Sequence, residues 1–180
     1  MAFFRDLGDA LYRGLTGGRS PASEGRTTQE RAERLIKKHG SIKAAAADTG
    51  VSPETMRRWA RGEQEAKNTA RSNNADKLAA AERRARMTKA GTKRVRNSTG
   101  KEKGSGEGLR IRATVQVSGD RRERTIKPGE ALPADAMESV ITRFETEGPE
   151  AAALELQDLL DFYYFKGGRG HVEEITDIGY

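Results

Sequence analysis

Arg57, Arg58 and Arg61 fall within five residues, with Glu54 the one acid among them and the hydroxyls of Ser52 and Thr55 just upstream. A guanidinium fork pairs bidentately with phosphate and with the edge of guanine, and hydroxyls bond bases or phosphates, so this set suits a nucleic acid. A second basic group, Lys93, Arg94 and Arg96, suits contacts spread along phosphates. The competing reading of both groups is a solvated charged face. Catalytic chemistry finds little to work with. Cysteine is absent, and His39 and His171 stand far apart, so neither a thiolate site nor a histidine metal cluster is expected, and no cofactor either. Glu138, Glu145 and Glu155 read as helix-surface carboxylates; Glu173, Glu174 and Asp177 lack a matching ligand set for a cation. Gly167-Gly168-Arg169-Gly170 does not sit between a strand and a helix, so it reads as a helix stop and not as a phosphate loop. Phe162, Tyr163, Tyr164 and Phe165 offer faces for stacking bases or, on the plainer reading, a core-and-surface helix end.

The arginines need a frame, and the stretch from Ser41 to Gly62 supplies one. Ser41 suits a helix cap, Ala44 to Ala47 allow close helix approach, and Gly50 suits a left-handed stop. Val51, Ser52 and Pro53 suit the residue before a cap, the cap and the first helical position, with Val51 and Met56 at staple spacing. Met56, Trp59 and Ala60 share an inward stripe, which turns Thr55, Arg57, Arg58 and Arg61 outward. Two short helices and a tight turn of this kind form a helix-turn-helix, whose second helix is expected in the major groove. A plain αα-hairpin has the same skeleton; the arginine face separates the two. Gly-Val-Ser-Pro-Glu-Thr-Met-Arg-Arg-Trp-Ala-Arg-Gly, residues 50–62, resembles the turn and recognition helix of prokaryotic helix-turn-helix proteins.

The 180 residues are 34% hydrophobic and 33% charged, which favours two modest cores joined by polar segments over one large core. No run approaches the roughly 20 apolar residues of a membrane span, and the N-terminus lacks a signal-peptide plan; a soluble, cytoplasmic, nucleoid-associated protein is expected. The net charge of +6 conceals a division. Arg57 to Lys103 carries 15 Lys/Arg against 5 Asp/Glu, and Glu130 to Tyr180 carries 3 against 12. The first half suits nucleic acid; the acidic half suits a protein partner or solvent.

Along the chain, residues 1–16 form a short amphipathic helix whose apolar side docks on the rest of the protein or on a partner. A Gly/Ser/Pro linker at 17–26 follows. Thr27-Thr-Gln-Glu30 is a capping box that opens a helix to about His39, which completes a three-helix head over 27–66. Residues 67–108 read as a basic helix, about Asn73 to Lys89, and a mobile arm from Thr88 that either tracks phosphates or serves as a linker. From Leu109 the alternation of Leu109, Ile111, Ala113, Val115 and Val117 with Arg110, Arg112, Thr114 and Gln116 predicts a strand. Ser118-Gly-Asp120 then turns the chain into a return strand, Arg121 to Lys127. Helices from Pro133 to Glu145 and from Glu150 to Phe165, and a strand from His171 to Ile178, complete a small ββααβ domain over 109–180. Leu154, Leu156, Leu159, Leu160, Phe162 and Tyr163 are expected to form its core face. The fold class is therefore α+β.

Gly8-Asp-Ala-Leu11 in the first helix, the helix-turn-helix, the basic middle and the ending Tyr164-Phe165-Lys-Gly-Gly-Arg-Gly-His-Val-Glu-Glu-Ile-Thr-Asp-Ile178 follow one another in an order that resembles the telomere terminal proteins (Tpg family) of linear actinobacterial chromosomes and plasmids. The resemblance spans nearly the whole chain and is most specific at that ending. It implies a protein that binds the telomeric ends of a linear replicon and carries the first nucleotide on a side-chain hydroxyl. Such a protein primes DNA synthesis, stays joined to the 5′ end, and works with a telomere-binding protein and a DNA polymerase. It implies an acceptor and not a catalyst. The family's acceptor is a threonine after the basic middle; here Thr114, between Arg112 and Gln116, and Thr125, next to Arg124, are the candidates, with Thr114 preferred. Thr114 is also simply a good strand residue. The alternative function is a transcriptional regulator whose C-terminal domain makes a homodimer, and a third is a DNA-packaging adaptor; no membrane partner is expected.

Overall fold

The computed structural model describes residues 2–18, 27–100, 108–117, 119–165 and 170–179, without the side chains of 2–6 and 174–177. Most of the 17–26 linker, residues 101–107 of the basic arm, Ser118 and the Gly167-Gly168-Arg169 stop lie outside them. The helices are α1 (Ala2–Thr16), α2 (Thr28–His39), α3 (Ile42–Thr49), α4 (Pro53–Ala60), α5 (Asn74–Arg86), α6 (Lys89–Arg96), α7 (Ala136–Thr146) and α8 (Pro149–Leu159). The strands are β1 (Asn68–Thr69), β2 (Ser72–Asn73), β3 (Arg110–Val117), β4 (Asp120–Ile126) and β5 (Gly170–Gly179). The class is α+β. The chain divides into two compact units, one of Ala22–Arg86 with Glu145–Glu147, the other of Met1–Pro21, Met87–Phe144 and Gly148–Tyr180.

In the first unit local caps fix each helix end. Thr27 Oγ1 accepts from Glu30 N–H at 3.1 Å while Thr27 N–H donates to Glu30 Oε2 at 3.2 Å, closing the capping box. Ser41 caps α3, and α3 ends at Gly50 with φ of 71°, a left-handed turn that a β-carbon would strain. The core of Ala32, Leu35, Ala45, Ala46, Met56 and Trp59 also takes in Leu78 and Ala81 from α5. α5 thus packs on α2 and α3 as a fourth helix. The stretch 67–108, set apart in the sequence as one basic segment, is divided between the two units at Arg86/Met87.

Glu82 on α5 is fully buried. Its Oε1 accepts from Arg34 Nη1 at 2.9 Å and from Arg86 Nε and Nη2 at 3.2 and 3.0 Å. Its Oε2 lies 3.2 Å from Arg31 Nε as an ion pair without hydrogen-bond alignment. Three guanidinium groups thereby compensate one desolvated carboxylate and tie α5 to α2.

The second unit is built on an antiparallel sheet of order β4-β3-β5. Ile111, Ala113 and Val115 face the core, with Val140, Phe144, Leu156 and Leu160 from the helical layer. α1 supplies Leu7, Leu11, Tyr12 and Leu15, all fully buried, and packs on α8, α6 and β5. A domain limited to 109–180 would leave that face of α8 wet, and the N-terminal helix covers it. Two expectations need correction. Leu154 and Phe162 are exposed, 48% and 73%, because the buried face of this segment is the narrower stripe of Ala152, Ala153, Leu156 and Leu160. The arm expected from Thr88 is ordered at its start: Thr88 Oγ1 caps Gly91 N–H at 3.0 Å, α6 follows, and Val95 is fully buried.

Gly91 explains how α6 comes so close to α1. A β-carbon there would lie 2.5 Å from the Gly14 carbonyl oxygen and 2.6 Å from that of Leu15. Gly91→Ala is expected to destabilise this unit by about 1–3 kcal/mol, as overpacking against backbone does; chemical denaturation of the variant measures it.

Candidate nucleic-acid interface

The candidate face is built by the junction of α3 and α4. After Gly50, Val51 N–H bonds the Ala46 carbonyl at 3.0 Å, which closes the turn. Ser52 Oγ accepts from Thr55 N–H at 3.0 Å and shares a 2.8 Å hydrogen bond with Thr55 Oγ1, so the Ser52 hydroxyl serves as a cap. Pro53 follows at the first helical position. Met56 and Trp59 are fully buried, which fixes the rotation of α4. Ser52, Glu54, Arg58 and Arg61 are exposed and Thr55 and Arg57 half-buried.

Acids hold these arginines. Arg57 hydrogen-bonds Glu54 three residues back; Arg58 Nε lies 3.4 Å from the other Glu54 oxygen, and Arg61 Nη1 lies 3.6 Å from Glu63. Exposed pairs of this kind are worth little and exchange readily for phosphate. Glu54→Gln is therefore expected to raise affinity for random-sequence duplex DNA several-fold at low salt and to steepen its salt dependence by about 0.9 in the log–log slope. A filter-binding titration over salt concentration reads both.

Lys93, Arg94 and Arg96 lie on α6, in the other unit, and all three are exposed. Arg96 is paired with Glu138 of α7. This places them on a helix with one buried side, Gly91 and Val95, instead of on a free arm.

The candidate acceptors share one sheet face. Thr114 is half-buried on the central strand, in register with Glu123 of β4 and Glu174 of β5. Thr125 is exposed on the edge strand, opposite Arg112, whose Nε lies 2.8 Å from Glu123 Oε1. Sequence reasoning overlooked the cross-strand neighbours of Thr114, since they follow from register alone. Among the described residues there is no group of three or more His, Asp or Glu placed to hold a metal ion, and no helix long and apolar enough to cross a membrane. No protein-family model, curated protein or solved structure matches this chain.

Proposed function

We propose that this chain is a DNA-binding terminal protein. In this reading α3 and α4 form a helix-turn-helix that lays α4 in the major groove, and residues 109–180 form the ββααβ body. A threonine hydroxyl there carries the first nucleotide of a new strand, leaving the chain joined to the 5′ end of a linear replicon. The observation that supports DNA recognition is the construction of α4: Met56 and Trp59 anchor it, and the opposite face presents Ser52, Glu54, Arg58 and Arg61 to solvent. The terminal role rests on the resemblance to the Tpg family and on two candidate hydroxyls on one sheet face, Thr114 and Thr125, the second opposite Arg112. The exposed Thr125 is the more accessible of the two. A telomere-binding protein and a DNA polymerase are the partners this role requires, and the nucleoid is its location.

One observation favours a second reading, a dimeric transcriptional regulator. Leu154 and Phe162 stand exposed at the surface of the second unit, as residues of an intersubunit face do in an isolated chain. Footprinting separates the two. A terminal protein protects the end of a linear duplex, whereas a dimeric regulator protects an internal palindrome with half-sites about one helical turn, roughly 34–36 Å, apart.

A further inference from the structure

We infer that the rim of β4, formed by Arg122 and Arg124, is a second DNA contact, one that binds the phosphate backbone of duplex DNA without reading sequence. The inference rests on the DNA reading above and adds to it a surface that the recognition helix does not supply.

From Arg110 to Lys127 the chain carries six Lys/Arg against two Asp/Glu, whereas Glu130 to Tyr180 carries 3 against 12. One unit thus joins a basic hairpin to an acidic body. β4 is an edge strand, and residues 121–125 are all exposed. Register divides its charges between two faces. Arg121 and Glu123 share the open face with Arg112 and Gln116, and there the charges are matched: Arg112 pairs with Glu123 and Arg121 with Glu173. Arg122 and Arg124 stand opposite Val115 and Ala113, on the side that faces the core, but at the edge of the sheet opposite β5, the strand on which α1 packs. They therefore reach solvent beside the core. Arg122 pairs with Asp120 at the hairpin turn, and among the described residues Arg124 has no ion-pair partner, so the rim keeps a positive balance.

Inward-pointing charge on an edge strand also guards against edge-to-edge pairing. That need is met by one charge of either sign. It does not account for two cations along one rim, nor for arginine, whose fork matches a phosphate. Arg122 and Arg124 are two residues apart on one face, about 6.8 Å along the strand, which is comparable with the separation of successive backbone phosphates. Because β3 is paired along its length with β5 as well, the hairpin is no free ribbon for a groove; an edge laid along the phosphates is the geometry it allows.

The test uses the full chain. Binding to a duplex selected from a random pool and to a random-sequence duplex is titrated across salt for the wild type, for Arg122→Gln with Arg124→Gln, and for a control pair, Arg13→Gln with Arg143→Gln. The control removes the same charge from exposed positions of the same unit. The rim pair is expected to lower the log–log salt slope by about 1.8 and to weaken both duplexes equally, leaving their ratio unchanged. Where Arg122→Gln loosens the hairpin, Arg124→Gln alone reads the same rim, with a fall in slope of about 0.9. An unchanged slope, or an equal fall in the control, overturns the inference while leaving the recognition helix in place. A wild-type chain that binds neither duplex overturns the DNA reading and this inference together.

Discussion

Glu82→Gln is expected to destabilise the packing of α5 on α2 by about 3 kcal/mol, seen as a roughly hundredfold loss of hydrogen-exchange protection in the amides of both helices. The carboxylate is fully buried and balances Arg31, Arg34 and Arg86. An amide of the same shape carries no charge and turns one donor toward groups that are themselves donors. Removing one partner from a fully buried ion pair costs about 3–5 kcal/mol. The lower end applies because the arginine side chains are 16–41% exposed and regain some hydration. A loss of protection below tenfold contradicts the view that this cluster fastens α5 to the head.

Arg57→Ala with Arg58→Ala is expected to abolish sequence preference while leaving the fold intact. Both arginines point away from the core that Met56 and Trp59 fill, and their present partner is the exposed Glu54. Losing two base or phosphate contacts costs roughly 2–4 kcal/mol on the preferred duplex, about thirty- to a thousandfold in affinity. Affinity for random duplex falls far less, and the circular dichroism spectrum stays that of the wild type. Unchanged affinity for the preferred duplex refutes α4 as the recognition helix.

What the sequence made legible was local. Caps at Thr27, Ser41 and Ser52, the left-handed Gly50, and the alternation through β3 are written within a few residues each, and local rules read them. The inward turn of Met56 and Trp59 follows from helical period in the same way. What stayed hidden depended on partners distant in the chain. α5 has a core stripe of Leu78, Ala81, Glu82 and Ala85, but a glutamate in it reads as surface until Arg31 and Arg34 are placed beside it. The amphipathic character of α1 was evident; its seat on α8, more than 130 residues away, was not. α6 carried its signals, Thr88 and Gly91, beneath a charge density that reads as a solvated arm. Leu154 and Phe162 read as core from apolar content, yet burial went to the narrower stripe of Ala152, Ala153, Leu156 and Leu160.

At the candidate site the arginines and their face were legible, and so were the hydroxyls. The surroundings of those hydroxyls were not: that Thr114 lies between carboxylate-bearing strands and Thr125 opposite Arg112 is a matter of sheet register. Register is fixed by the short connection between β3 and β4 and by the long return through β5, which no local pattern records.

The central claim is that this chain becomes joined to a DNA 5′ end through a hydroxyl. The most direct measurement is the mass of its peptides after isolation from the native host and exhaustive nuclease digestion. The account predicts a residual nucleotide on a peptide holding Thr125 or Thr114. Full coverage of residues 98–165 by unmodified peptides, together with protein-free DNA ends, would contradict it.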